Sequence, residues 1–92
     1  MSKYKTKILL VDDEPDILEI VGYNLSQEGY QISTASNGKE AVTKAKSDLP
    51  DLIIMDVMMP EMDGIEACEI IRKLPELPNV IITFLTARNE DY

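Results

Sequence analysis

The chain has 92 residues, 45% hydrophobic and 28% charged, enough for one small core and too few for a multidomain enzyme. Its 17 acidic residues against 9 basic ones give a net charge of −8, which opposes non-specific binding to nucleic acid or to an anionic membrane. With no histidine and a single cysteine, Cys68, an internal disulfide, the usual zinc ligand sets and histidine-assisted nucleophilic catalysis are excluded.

From the N-terminus, Ile8-Leu9-Leu10-Val11 is a continuous apolar run, suited to a strand covered on both faces. It is too short for the apolar region of a signal peptide or for a membrane span, so the chain reads as cytoplasmic. Lys3, Lys5 and Lys7 flank this run and are too few for a nucleic-acid patch. Glu14-Pro15 opens a helix, with Glu14 expected as cap and proline suited to the first helical position. Ile17, Val21 and Leu25 follow at four-residue steps, and Gly29 is the expected stop. Gln31 to Ala35 alternates polar and apolar residues, as a half-exposed edge strand does.

Asn37-Gly38-Lys39-Glu40 reads as a capping box, with Glu40 reaching back to the cap. Ala41, Val42 and Ala45 give that helix a small apolar face. Leu52-Ile53-Ile54-Met55 is a second uninterrupted run, closed by Asp56. After a loop containing Pro60, Asp63 and Glu66 repeat the capping pattern. Ile65, Cys68, Ile71 and Leu74 are expected to form the buried stripe, with Cys68 packing as a small hydrophobe. Met55, Met58, Met59 and Met62 read as flexible packing rather than a soft-metal site. Val80 to Leu85 is the last apolar run, followed by Thr86.

The order βαβαβαβ predicts an α/β fold, a doubly wound parallel sheet with helices on both faces. Ligands in such sheets bind outside the carboxyl ends of the strands, where this sequence has Asp12-Asp13-Glu14, Asp56 and Thr86. If the first and third strands are neighbours, about 4.8 Å apart, three carboxylates converge. Oxygen donors without thiol or imidazole suit a hard cation such as Mg2+. Asp12 and Asp13 would serve equally as polar strand ends and helix caps. A carboxylate closing an apolar run, like Asp56, is usually paired or liganded.

Val11-Asp12-Asp13-Glu14-Pro15, the segment Ile54 to Gly64 and Leu85-Thr86-Ala87, in that order, resemble the receiver domain of two-component response regulators. The resemblance covers essentially the whole chain, residues 1–92, and implies a flavodoxin-like receiver fold with strand order 2-1-3-4. It implies that Asp56 accepts a phosphoryl group from a sensor histidine kinase or phosphotransfer protein, to switch a downstream output. Asp13, Asp56 and the backbone carbonyl of Met58 would ligand Mg2+ directly, with Asp12 acting largely through water. Thr86 would donate its hydroxyl to the phosphoryl group, and the small Ala87 would leave room for it.

The family pattern continues with a further helix, strand and helix, and carries a lysine and an aromatic switch residue on the fifth strand. No lysine follows Thr86 here. A C-terminally shortened receiver without an effector region is therefore expected, its fourth strand an exposed edge able to pair with a second copy or to swap elements with it. Two other readings stay open. One is a phosphorylation-independent interaction module on the same fold. The other is a Mg-dependent aspartyl phosphatase, which wants an acid/base aspartate two residues after the nucleophile, where this chain has Met58.

Overall fold

The structure is a computed structural model that describes residues 6–85. Seven elements follow in chain order: β1 (Lys7–Val11), α1 (Pro15–Gln27), β2 (Gln31–Ala35), α2 (Gly38–Asp48), β3 (Leu52–Asp56), α3 (Gly64–Arg72) and β4 (Ile81–Leu85). The strands form one parallel sheet in the order β2-β1-β3-β4. The predicted alternation, strand order and double winding are all present.

Strand periodicity divides the sheet into two faces. Leu9 and Val11 of β1 and Ile53 and Met55 of β3 point to one side, where they pack with Ala41 and Ala45 of α2 and with Ala67 and Ile71 of α3. Cys68, Leu74, Ile82 and Phe84 close in around this cluster, so Cys68 packs as expected. The opposite face carries Ile8 and Leu10, both buried, and receives α1 through Gly22, beside Leu10 and Ile32. Beyond α1 this face opens into a hollow of about 360 Å³ bordered by Ile8, Leu25, Leu52, Ile54 and Ile81. Ile81 is 63% exposed, in keeping with the edge position expected for β4.

Two details of the helices depart from expectation. The buried stripe of α3 is Gly64, Ala67 and Ile71, and Ile65 is exposed. The stripe of α2 has the same three-then-four spacing, Gly38, Ala41 and Ala45, and small residues let the two helices lie close on the sheet. At the start of α1, Glu14 occupies the cap position but its side chain makes no cap hydrogen bond. The N–H of Glu14 itself is taken by Asp12 Oδ1.

The remaining caps follow the sequence reading. Asn37 Oδ1 accepts from the Glu40 N–H at 2.8 Å, and Asp63 Oδ1 accepts from the Glu66 N–H at 2.9 Å. Glu40 reaches back as a capping-box glutamate does, but to the N–H and hydroxyl of Ser36, one residue before the cap. Gly29 ends α1 with φ at 100°, a left-handed conformation that glycine adopts without steric cost. No helix among the described residues is long and apolar enough to cross a membrane.

Candidate functional site

The carboxyl ends of β1 and β3 lie side by side, because Val11 pairs with Met55. Asp12 follows Val11 and Asp56 ends β3, so the register alone sets the two carboxylates next to each other. Both are buried, at 5% and 4% exposure. Asp13 joins them from the exposed side, and one oxygen from each of the three lies within 4.8 Å of the others.

Each buried carboxylate is oriented by backbone. Asp12 Oδ1 accepts the Glu14 N–H at 2.9 Å, while the Asp12 N–H donates to the Ala35 carbonyl at 3.1 Å. Asp56 Oδ1 accepts the Met58 N–H at 3.2 Å. Turns of this kind, with an aspartate accepting from the residue two further on, fix the carboxylate as well as the loop. Burial pushes the Asp12 carboxyl above its ordinary pKa; the Glu14 N–H opposes that shift, and the negative charges of Asp56, Asp13 and Glu14 add to it.

The loop from 57 to 63 forms the outer wall. It closes on α3 through the Gly64 N–H, which donates to the Val57 carbonyl at 3.0 Å. A Cβ on Gly64 would overlap the Asp56 carbonyl oxygen and lie 3.0 Å from Val57 Cα, so only glycine lets the helix start this close to the end of β3. Met59 is buried and Met62 packs against the core, as does Met55, whereas Met58 is 69% exposed. Packing therefore accounts for three of the four methionines. Asp13, Val57, Met58, Met59, Pro60 and Asp63 border a hollow of about 430 Å³ beside the carboxylates. Glu61, in the same loop, has a left-handed φ of 68°, a conformation that costs a non-glycine residue energy and concentrates at functional loops. The sequence held no sign of that strain.

Of the predicted site residues, Asp12, Asp13 and Asp56 come together and Met58 flanks them. Thr86 and Ala87 lie outside the described residues. The donor set suits a hard divalent cation: all three groups offer oxygen, their charges repel, and burial, with that repulsion added, raises Asp12.

The comparisons with known proteins agree with this geometry. The family described as "Response regulator receiver domain" matches residues 8–92, and the chain belongs to it. The chain is 45% identical over 86 residues to the alkaline phosphatase synthesis transcriptional regulatory protein PhoP of Bacillus subtilis, covering 94% of this chain and 35% of that protein. It thus spans about a third of the length of that relative. Among solved structures, the chemotaxis protein CheY4 of Vibrio cholerae superposes with a TM-score of 0.88 at 36% identity, over 95% of this chain and 72% of that one. The receiver domain of sensor histidine kinase PA1611 from Pseudomonas aeruginosa, with a magnesium ion coordinated in its active site cleft, superposes with a TM-score of 0.85 at 33% identity, over 92% and 70%. The chain is accordingly a receiver domain of two-component signalling with the flavodoxin-like receiver fold. Receiver domains bind Mg2+ in an acidic pocket and work with histidine kinases or phosphotransfer proteins; this chain has the acidic cluster.

Proposed function

We propose that Asp56 is the phosphoacceptor of this receiver and that Asp12, Asp13, Asp56 and the Met58 backbone carbonyl hold Mg2+. The observation that carries the reading is the convergence of the three carboxylates within 4.8 Å at the ends of β1 and β3. A carboxylate oxygen of Asp56 attacks the phosphorus of a partner's phosphohistidine. An O–P bond forms, the N–P bond breaks, and its electron pair returns to the imidazole nitrogen. The Met58 N–H on Oδ1 fixes the rotation of the attacking carboxylate, and positioning of this kind dominates phosphoryl transfer. The bound cation supplies charge neutralisation for the incoming phosphoryl oxygens. Thr86 donates its hydroxyl to the transferred group, coupling the roughly −2 charge of the product to the segment that follows β4.

Residues 1–92 act as one receiver unit, cytoplasmic, with no nucleic-acid contact of its own. Its chemistry is limited to its own phosphorylation and dephosphorylation rather than turnover of a substrate. A phosphatase is disfavoured because Met58 stands where the acid/base aspartate is needed. Self-association through the edge of β4 belongs to the same reading and is supported by the exposed Ile81; a monodisperse monomer by light scattering removes that part.

The test is incubation with Mg2+ and acetyl phosphate followed by intact mass. A phosphoryl adduct that disappears in Asp56→Asn is expected. A chain that binds Mg2+ yet takes no phosphoryl group overturns the assignment of Asp56 and favours the phosphorylation-independent interaction module.

A further inference from the structure

Gly38 is the first residue of α2 and is buried, far in sequence from the acidic residues. A Cβ built on it would overlap the Met62 carbonyl oxygen and lie 2.9 Å from both Met62 Cβ and Cγ. Real Cβ atoms do not approach other heavy atoms so closely, so a side chain here forces one partner to move. Met62 belongs to the 57–63 loop, the same short segment that carries the Met58 N–H to Asp56. Gly64 meets that loop at its far end, against Asp56 and Val57. The segment is therefore gripped between two glycines, one on each helix.

Which partner would yield follows from how each is held. The start of α2 is fixed by Asn37 Oδ1 on the Glu40 N–H and by Glu40 on Ser36, and its Ala41 and Ala45 are fully buried in the core. The loop is tied at its ends, by the Met58 N–H on Asp56 and by Asp63 on the Glu66 N–H, and between those ties Glu61, next to Met62, already sits at a strained φ. Displacement goes into the loop.

We propose that Gly38 is a positioning residue for the acidic site: its missing side chain sets how closely the start of α2 approaches Met62, and through the loop sets the Met58 backbone against Asp56. This rests on the reading of Asp56 and its neighbours as the Mg2+ and phosphoryl site.

The test uses the 92-residue chain as wild type, as Gly38→Ala, and as Gly22→Ala, a helical control whose added methyl would find ordinary contact distances of 3.7 and 3.9 Å. Each is assayed for helix content, for Mg2+ affinity by calorimetry, for the Met58 amide resonance and for the rate of labelling by acetyl phosphate. Gly38→Ala is expected to keep its helix content, shift the Met58 resonance and bind Mg2+ roughly tenfold more weakly, the size of effect seen when support around metal ligands is lost. Gly22→Ala is expected to match wild type in all but melting temperature. Adding Met62→Gly, which removes two of the three overlaps, is expected to restore part of the affinity. Should Gly38→Ala not fold, the double variant is compared with Met62→Gly alone, and equal Mg2+ affinity there overturns the proposal. So does a folded Gly38→Ala with wild-type affinity and an unmoved Met58 resonance. A wild-type chain that neither binds Mg2+ nor accepts a phosphoryl group overturns the underlying site reading instead.

Discussion

Asp12 Oδ1 takes the backbone N–H of Glu14 at 2.9 Å, so a carboxylate of the acidic cluster also holds the residue that leads into α1. One side chain serves both the acidic end of β1 and the turn into the helix that follows it. The two duties can be separated by substitution. Asp12→Asn keeps an oxygen for the Glu14 N–H and removes the charge, whereas Asp12→Ala removes both and should cost about 1 kcal/mol through the lost hydrogen bond.

Charge removal has a definite sign. The folded chain raises the Asp12 carboxyl above its ordinary 3.8, chiefly through burial. The stability it contributes is therefore complete below about that pH and is lost as pH rises through the folded value. Without divalent cation, Asp12→Asn should be more stable than wild type at neutral pH and lose this part of the pH dependence. Urea titrations with chelator across pH 3 to 8 check it; a destabilised Asp12→Asn at pH 7 would contradict it.

Mg2+ should reverse that order. A cation that binds only the folded chain stabilises it by about 2.7 kcal/mol at a hundredfold excess over its Kd. Wild type should melt higher with Mg2+ and return to its starting point when chelator is added. Asp56→Asn and Asp12→Asn should respond much less, which differential scanning calorimetry reads directly.

The helix starts give a second set of outcomes. Asn37→Ala and Asp63→Ala each remove an acceptor for an N–H three residues on, and each should cost about 1 kcal/mol, or roughly 4–8 °C in Tm for a domain of this size. Glu40 behaves oppositely to Asp12. The Ser36 N–H and hydroxyl hold its carboxyl below the ordinary 4.5, with Lys44 adding to the effect. Its contribution is present above about pH 4.5 and is lost as pH falls through the folded value. Because Glu40 is 40% exposed, Glu40→Gln should show only a small loss, confined to neutral pH, in thermal melts compared at pH 7 and pH 3.

Gly22→Ala should stabilise. The added methyl meets only Ile32 Cγ2 at 3.7 Å and Leu10 Cδ2 at 3.9 Å, and replacing a glycine inside a helix removes unfolded-state freedom worth about 0.5–1 kcal/mol. Chemical denaturation of the two proteins at neutral pH provides the comparison; a lower midpoint for the variant would refute it.

The sheet and its acidic tip were legible because both depend on short-range pattern. Uninterrupted runs such as Ile8–Val11 and Leu52–Met55 mark strands covered on both sides, and an aspartate closing such a run is conspicuous. The buried side of α3 was misread for the opposite reason. Hydrophobicity draws attention to Ile65, but the tight start of α3 against Asp56 and Val57 selects Gly64, the core takes the small Ala67, and Ile65 is left facing water. Glu40 was seen to reach backward, yet its target, Ser36, depends on how the chain turns out of β2. The approach of Gly38 to Met62 joins residues 24 positions apart and has no local signature at all.

The bond from Lys44 Nζ to the Thr34 carbonyl, 2.6 Å, matters for how the molecule behaves at high concentration. The Gln31 N–H and the Ala35 carbonyl bond inward to the neighbouring β1 side, so Thr34, between them, turns its carbonyl to the outer margin of the sheet. An ammonium group already occupies that acceptor, and an incoming strand would have to evict it before docking there. Fibril growth from the β2 side is thereby discouraged, and Lys44→Met should shorten the lag before turbidity appears in a concentrated sample.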